Sequence, residues 1–217
     1  MAKLMTEAAQ AQLREAIQAI EKLSSAEVVI AVRPRLGRVL VPHVAAGAIA
    51  MVAVLAVMLF SDDLEFELWS IAVAPLLGAL AGGLVVEAVA PLERALAPAR
   101  MSAAILRDAA RAAFYELGVH RTKGRTGALV FIAVRERRVV VVGDLAIVER
   151  FGDAGLARHA GALGAALPAG GEAVARALAA LADEYATALP RAPDDVNELA
   201  DLVQFRRPPR RRRGSVR

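Results

Sequence analysis

The chain of 217 residues contains no cysteine. That excludes a disulfide scaffold, a thiol nucleophile and any Cys-ligated zinc or iron–sulfur centre. Aromatic residues make up only 4%. The sequence has no GxSxG, HExxH, Walker or strand-linked GxGxxG pattern, which removes the best-known signatures of serine hydrolases, zinc peptidases and nucleotide-binding folds. Its three histidines, His43, His120 and His159, are too scattered to form a metal-binding spacing. What is abundant is hydrophobicity, at 57% of residues, so the chain is not disordered.

Charge is missing from two stretches above all. Residues 42–60 (PHVAAGAIAMVAVLAVMLF) and 68–86 (LWSIAVAPLLGALAGGLVV) hold no Asp, Glu, Lys or Arg. Each has 19 residues, close to the ~20 that cross a ~30 Å hydrocarbon core as a helix. Residues 61–67 (SDDLEFE) join them with four carboxylates and no base. A link this short connects antiparallel neighbours, so the pattern predicts a two-helix transmembrane hairpin with an acidic outside loop. The other reading, a pair of core helices in a soluble protein, would need far more chain to cover two helices apolar all round.

Arg33, Arg35 and Arg38 precede the hairpin, and Arg94 and Arg100 follow it. By the positive-inside rule both termini lie in the cytoplasm, which predicts a multi-pass protein of the inner membrane. Neither span carries Asp, Glu, Lys or Arg, and His43 stands at the membrane boundary, so nothing points to an ion path or proton relay. Gly78 and Gly82 form a GxxxG pair, and Ala46, Ala50 and Ala53 a small-residue stripe. Such residues pack helices closely, either within the hairpin or along a homo-oligomer seam.

The flanking segments read as two pieces of one α/β domain. Residues 1–38 hold a helix capped by Thr6, with Leu13, Ala16, Ile17 and Ile20 on one face, and a strand starting at Glu27. Residues 95–190 hold a helix from Ala99 to Leu117, strands 128–134 and 138–143, and two more helices. Arg135-Glu136-Arg137 is a tight turn, which makes those strands an antiparallel hairpin. The strand 128–134 is apolar on both faces, so helices cover both sides of the sheet. A further strand within 195–205 is weakly indicated.

Residues 206–217 are an Arg-rich tail without apolar periodicity, predicted to be disordered. It holds seven arginines and no acid; without them the 27 basic residues of the chain fall to 20 against 23 acidic. The folded part is therefore mildly acidic. Arg206, Arg207, Arg210, Arg211, Arg212 and Arg213 suit anionic lipid, or simply a solvated tail. No aromatic interleaves with them and no recognition module accompanies them, so nucleic acid is not an expected partner.

Candidate chemistry gathers at strand ends, where α/β folds bind ligands. Asp144 closes one strand, Glu27 opens another, and Arg125 lies in the basic loop that His120 begins. Carboxylates there can hold a hard cation such as Mg²⁺ or Ca²⁺, and Arg can steady phosphate. The plain alternatives are a helix N-cap for Asp144 and a solvated charge for Glu27. The candidate site is thus Glu27 and Asp144 for a metal, with Arg125 and His120 as candidate catalytic groups.

At these residues the sequence resembles the TPM domain family. The resemblance lies in Ser25-Ala26-Glu27-Val28-Val29, Val119-His120-Arg121-Thr122, Arg125-Thr126-Gly127, Glu136-Arg137 and Gly143-Asp144. It implies a small Rossmann-like α/β/α sandwich, here interrupted by the hairpin, as in some bacterial members. It also implies a divalent-cation site of acidic residues. Two functions follow as expectations: an accessory or maintenance factor for other membrane proteins, or a metal-dependent phosphatase acting on phosphomonoesters.

Overall fold

The computed structural model describes residues 6–36, 40–61, 66–96, 99–192, 196–199 and 203–205. Most of the acidic loop, Arg38 and the Arg-rich tail lie outside the described residues. The chain divides into two compact units, residues 37–103 and the remainder.

The larger unit is built on a four-stranded mixed sheet with the order β3-β2-β1-β4. Its strands are β1 (Glu27–Arg33), β2 (Gly127–Ala133), β3 (Arg138–Gly143) and β4 (Val203–Phe205). β1 runs parallel to both β2 and β4, whereas β2 and β3 form the antiparallel hairpin expected from the short turn. Arg137 adopts φ +52° to close that turn.

The side chains of β2 are buried at all seven positions, so both faces of the sheet carry a core. Val28, Ile30, Val130 and Ile132 enter one face, under helices α1 (Glu7–Leu23), α6 (Leu145–Ala166), α7 (Gly171–Ala179) and α8 (Ala182–Ala188). Val29, Ala31, Leu129 and Phe131 enter the other, under Leu106, Ala110, Ala113 and Phe114 of α5 (Ala99–Glu116). Each such large aliphatic side chain contributes about 1.5–3 kcal/mol by leaving water.

Local sequence sets the helix ends. The Thr6 hydroxyl accepts from the Ala9 N–H at 3.1 Å, capping α1, and Leu13, Ile17 and Ile20 are fully buried one helical step apart. In α6, Ile147 and Leu156 are both buried although nine residues apart. That spacing would put them on opposite sides of an ideal helix. Gly152 resolves the conflict with φ +62°, a break that resets the helical phase. Beyond the break, Leu156, His159 and Leu163 are buried together. Val174 and Leu178 of α7 and Tyr185 of α8 are buried on either side of a turn that separates the two helices.

The smaller unit contains α2 (Leu40–Phe60), α3 (Leu68–Ala88) and the short α4 (Ala90–Leu96). α2 and α3 are each 21 residues long, apolar enough to cross a membrane, and only 11% buried over their most apolar window. They pack antiparallel. Gly47 lies against the Ala79 carbonyl, Gly78 against Val54, and Gly82 against Ala46 and Ala50. The GxxxG pair is therefore occupied by the hairpin's own packing. His43 Nε2 and Glu87 Oε2, 3.1 Å apart, tie the helices at one end.

A Cβ on Gly82 would fall 2.7 Å from the Ala46 carbonyl oxygen and 2.8 Å from the Ala50 Cβ. Gly82→Leu is expected to part the two helices and cost about 1–3 kcal/mol. The lone tryptophan of the chain, Trp69, sits on α3 and reports the loss as an earlier unfolding transition in detergent.

Candidate functional site

Glu27, Arg125 and Asp144 all lie at one end of the sheet, the amino end of the parallel strands. Glu27 pairs with Gly127 across β1 and β2. Asp144 follows β3 and donates its N–H to the Gly127 carbonyl at 2.8 Å. The three residues form a row with glycine in the middle, so Glu27 and Asp144 stand two strand spacings apart, roughly 10 Å. The Val119 carbonyl occupies the space above Gly127, where a Cβ would collide with it. Backbone thus fills the gap between the two carboxylates.

Asp144 is the N-cap of α6. Its Oδ1 accepts from the Leu145 N–H at 2.8 Å and lies 3.1 Å from Arg125 Nε. Its Oδ2 is buried and has no hydrogen-bond partner. Arg125 takes the left-handed conformation, φ +53°, uncommon for a residue with a side chain. It is held there by two backbone bonds, its N–H to the Thr122 carbonyl and its carbonyl from the Ala146 N–H, both 3.1 Å. The buried Thr122 hydroxyl also accepts from the Thr126 N–H at 3.1 Å.

Glu27 is buried and faces elsewhere. Its Oε1 accepts from the Glu198 N–H at 3.0 Å and its Oε2 from the Leu199 N–H at 3.1 Å. The Glu198 carboxylate in turn accepts from the Lys123 N–H at 2.9 Å, joining the segment before β4 to the basic loop. Nearby, buried Glu21 accepts from the Val28 N–H and from Asn197 Nδ2, each at 3.0 Å. Arg191 donates to the Glu21 carbonyl at 2.8 Å, near the end of α1. A polar cavity of about 230 Å³ opens here, lined by Glu21, Glu27, Lys22, Arg191 and Asn197. Sequence reasoning passed over Glu21, Arg191, Asn197 and Glu198, whose roles rest on partners up to 176 residues away.

His120 stands in a 3₁₀ turn over Val119–Arg121. Its ring packs against Tyr115 at 5.0 Å and Phe114 at 6.4 Å, and its buried Nδ1 has no partner. His159, which is buried, lies between Phe151 and Tyr185, with Nε2 3.2 Å from Glu184 Oε2. Burial, aided by the Glu184 charge, pushes the Tyr185 phenol well above its ordinary pKa.

No family model matches the sequence, and no curated protein matches it. Among solved structures, the chain is similar to the NMR structure of the BA42 protein from the psychrophilic bacterium Bizionia argentinensis. The match covers 93% of this chain and 97% of that one, with a TM-score of 0.54 and 16% identity. At that identity the likeness shows the fold alone.

The donor set does not suit a hard cation, which takes six or more oxygen ligands. Of the four carboxylate oxygens of Glu27 and Asp144, only Asp144 Oδ2 lacks a hydrogen-bond partner, and the Arg125 cation already sits beside that carboxylate. Among the described residues no group of three or more His, Cys, Asp or Glu could hold a metal. What the arrangement does is fix a loop, a helix start and the approach to β4.

An expected result separates capping from charge at Asp144. Asparagine caps as well as aspartate, and the Arg125 side chain is 57% exposed, so the ion pair is worth little. Asp144→Asn should change stability by less than about 1 kcal/mol, whereas Asp144→Ala should cost about 1–2 kcal/mol. Denaturant unfolding of the full chain in detergent reads both.

Proposed function

We propose that this chain is a membrane-anchored protein of the TPM type, an accessory or maintenance factor for other membrane proteins. In this reading α2 and α3 cross the inner membrane as a multi-pass hairpin. The acidic loop lies outside, and the Rossmann-like α/β unit works in the cytoplasm. One observation carries the proposal: two membrane-length helices pack on each other through Gly47, Gly78 and Gly82 while their remaining surface stays apolar and exposed. Water does not tolerate such a surface; lipid does. The α/β unit adds support, because its candidate carboxylates are engaged mainly in holding backbone.

Purification of the tagged full chain from native membranes in mild detergent tests the role. Stoichiometric enrichment of defined membrane proteins is the expected result. A chain that elutes alone, free of enriched proteins, would overturn it.

The phosphomonoesterase reading keeps one support, the unpartnered Asp144 Oδ2 beside Arg125. It requires Mg²⁺- or Ca²⁺-dependent turnover that Asp144→Asn abolishes. Turnover unchanged in that variant would remove the assignment.

A further inference from the structure

The sheet has two edges, and they differ. β4 is three residues long, and so short an edge strand offers little to pair with. β3 is six residues long and pairs only with β2. The Asp144 N–H donates to the Gly127 carbonyl. Backbone groups alternate along a strand, so Arg138, Val140 and Val142 also turn theirs toward β2. Val139, Val141 and Gly143 therefore point their N–H and C=O groups away from the sheet. Among the described residues, no hydrogen bond reaches those outer groups. Edges are commonly protected by a proline, a bulge or an inward-pointing charge. Residues 139–143, Val-Val-Val-Val-Gly, carry none of these.

The side chains alternate as well. Val139 and Val141 are buried in the core of one face, whereas Val140 and Val142 on the other are only partly buried. Just past the strand, Leu145 and Val148 in the opening turn of α6 are 55% and 38% exposed. Charge sits only at the two ends of the valine run, and the ends differ in sign. Arg138 precedes it and makes no ion pair among the described residues. Asp144 follows it, with one carboxylate oxygen beside Arg125 and the other without a hydrogen-bond partner. A strand with a base at one end, an acid at the other and valine between is complementary to itself when run antiparallel.

We propose that β3 pairs edge to edge with β3 of a second copy of this chain, antiparallel about a two-fold axis at Val141. In this register Val141 faces its own counterpart and Val139 faces the second copy's Gly143, so every outer N–H meets an outer carbonyl. On the partly exposed face, Val140 stands opposite the second copy's Val142, and Arg138 opposite its Asp144. Pairs of β-branched residues and of opposite charges are those that stabilise neighbouring strands. A slip of the register by two residues leaves Val139 or Gly143 with no strand residue opposite, and takes Arg138 away from Asp144. The contact is isologous and closes as a dimer. It stands whether or not α2 and α3 cross a membrane.

The chain has no cysteine, so cross-links report introduced positions alone. Val140→Cys and Val142→Cys are made in full chains bearing different tags, mixed in detergent and oxidised. Directly opposite residues of a non-hydrogen-bonded pair have Cα atoms about 4.5 Å apart, within disulfide range. Like positions lie on a diagonal of roughly 7–8 Å, beyond that range. The expected result is a disulfide-linked species carrying both tags, severalfold more abundant than the like-with-like species from either variant alone. The cysteine-free parent should sediment with the protein mass of two chains. A single-chain mass at every concentration overturns the edge pairing. So does a two-chain mass without preference for the mixed disulfide, which places the dimer contact elsewhere.

Discussion

Glu27→Ala is expected to cost the α/β unit about 3–5 kcal/mol and to release β4 from the sheet edge. Two successive backbone N–H groups, of Glu198 and Leu199, converge on the Glu27 carboxylate. Hydrogen bonds to a charged acceptor are worth about 1.5–3 kcal/mol each, and their loss leaves two donors without a protein partner. Glu27→Gln should fall between, because its amide offers one acceptor oxygen and turns an NH₂ toward the second N–H. Denaturant unfolding gives the energies. Hydrogen exchange locates the damage, with amides of residues 198–199 and 203–205 losing protection first. A role confined to metal binding would leave Glu27→Gln as stable as the parent chain.

Gly127→Ala is expected to be at least as harmful, at about 3 kcal/mol or more. The added methyl group would run into the Val119 carbonyl and sit 2.9 Å from Val119 Cγ1. Val119 is fully buried, and Gly127 belongs to a strand paired on both sides, so neither partner can step aside by rotating a side chain. The 3₁₀ turn would move, carrying Thr122 and the left-handed Arg125 out of register with Asp144. Gly124→Ala is the internal control. Its Cβ would meet only the Thr126 side chain, at 3.3 Å or more, and stability should stay within about 1 kcal/mol. Thermal melts of the two variants in the same detergent read the contrast.

The pieces that could be read from sequence were those fixed by local chemistry. β-branched runs mark β1 and β3, an apolar run marks β2, and the Arg135–Arg137 turn dictates the antiparallel pair. Thr6 announces α1, and two uncharged runs announce α2 and α3. The pieces that could not be read depend on contacts distant in sequence. β4 is three residues long and has no periodicity of its own; its place is set by pairing with β1 and by the amides that Glu27 receives. Gly152 hides a helix break because glycine is compatible with either outcome until the packing of Ile147 and Leu156 is known.

The candidate site was legible in position more than in chemistry. Glu27, Arg125 and Asp144 do share one end of the sheet, which strand-end placement alone left open. Their carboxylates part because Val119 covers the glycine between them and because Glu198, invisible as a partner in the sequence, presents its N–H to Glu27 and its carboxylate to Lys123. A carboxylate at a strand end is equally a ligand and a backbone clasp until its acceptor geometry is seen.

Single-cysteine accessibility in sealed inner-membrane vesicles and intact cells tests the membrane-anchored arrangement most directly. Ser61→Cys lies at the end of α2 and Ala157→Cys on an exposed position of α6. The account predicts that a membrane-impermeant maleimide labels Ser61→Cys in intact cells, and Ala157→Cys only after the membrane is opened. It also predicts that both variants stay in the membrane fraction after alkaline carbonate washing. Release into the wash, or labelling of both positions from the same side, would contradict it.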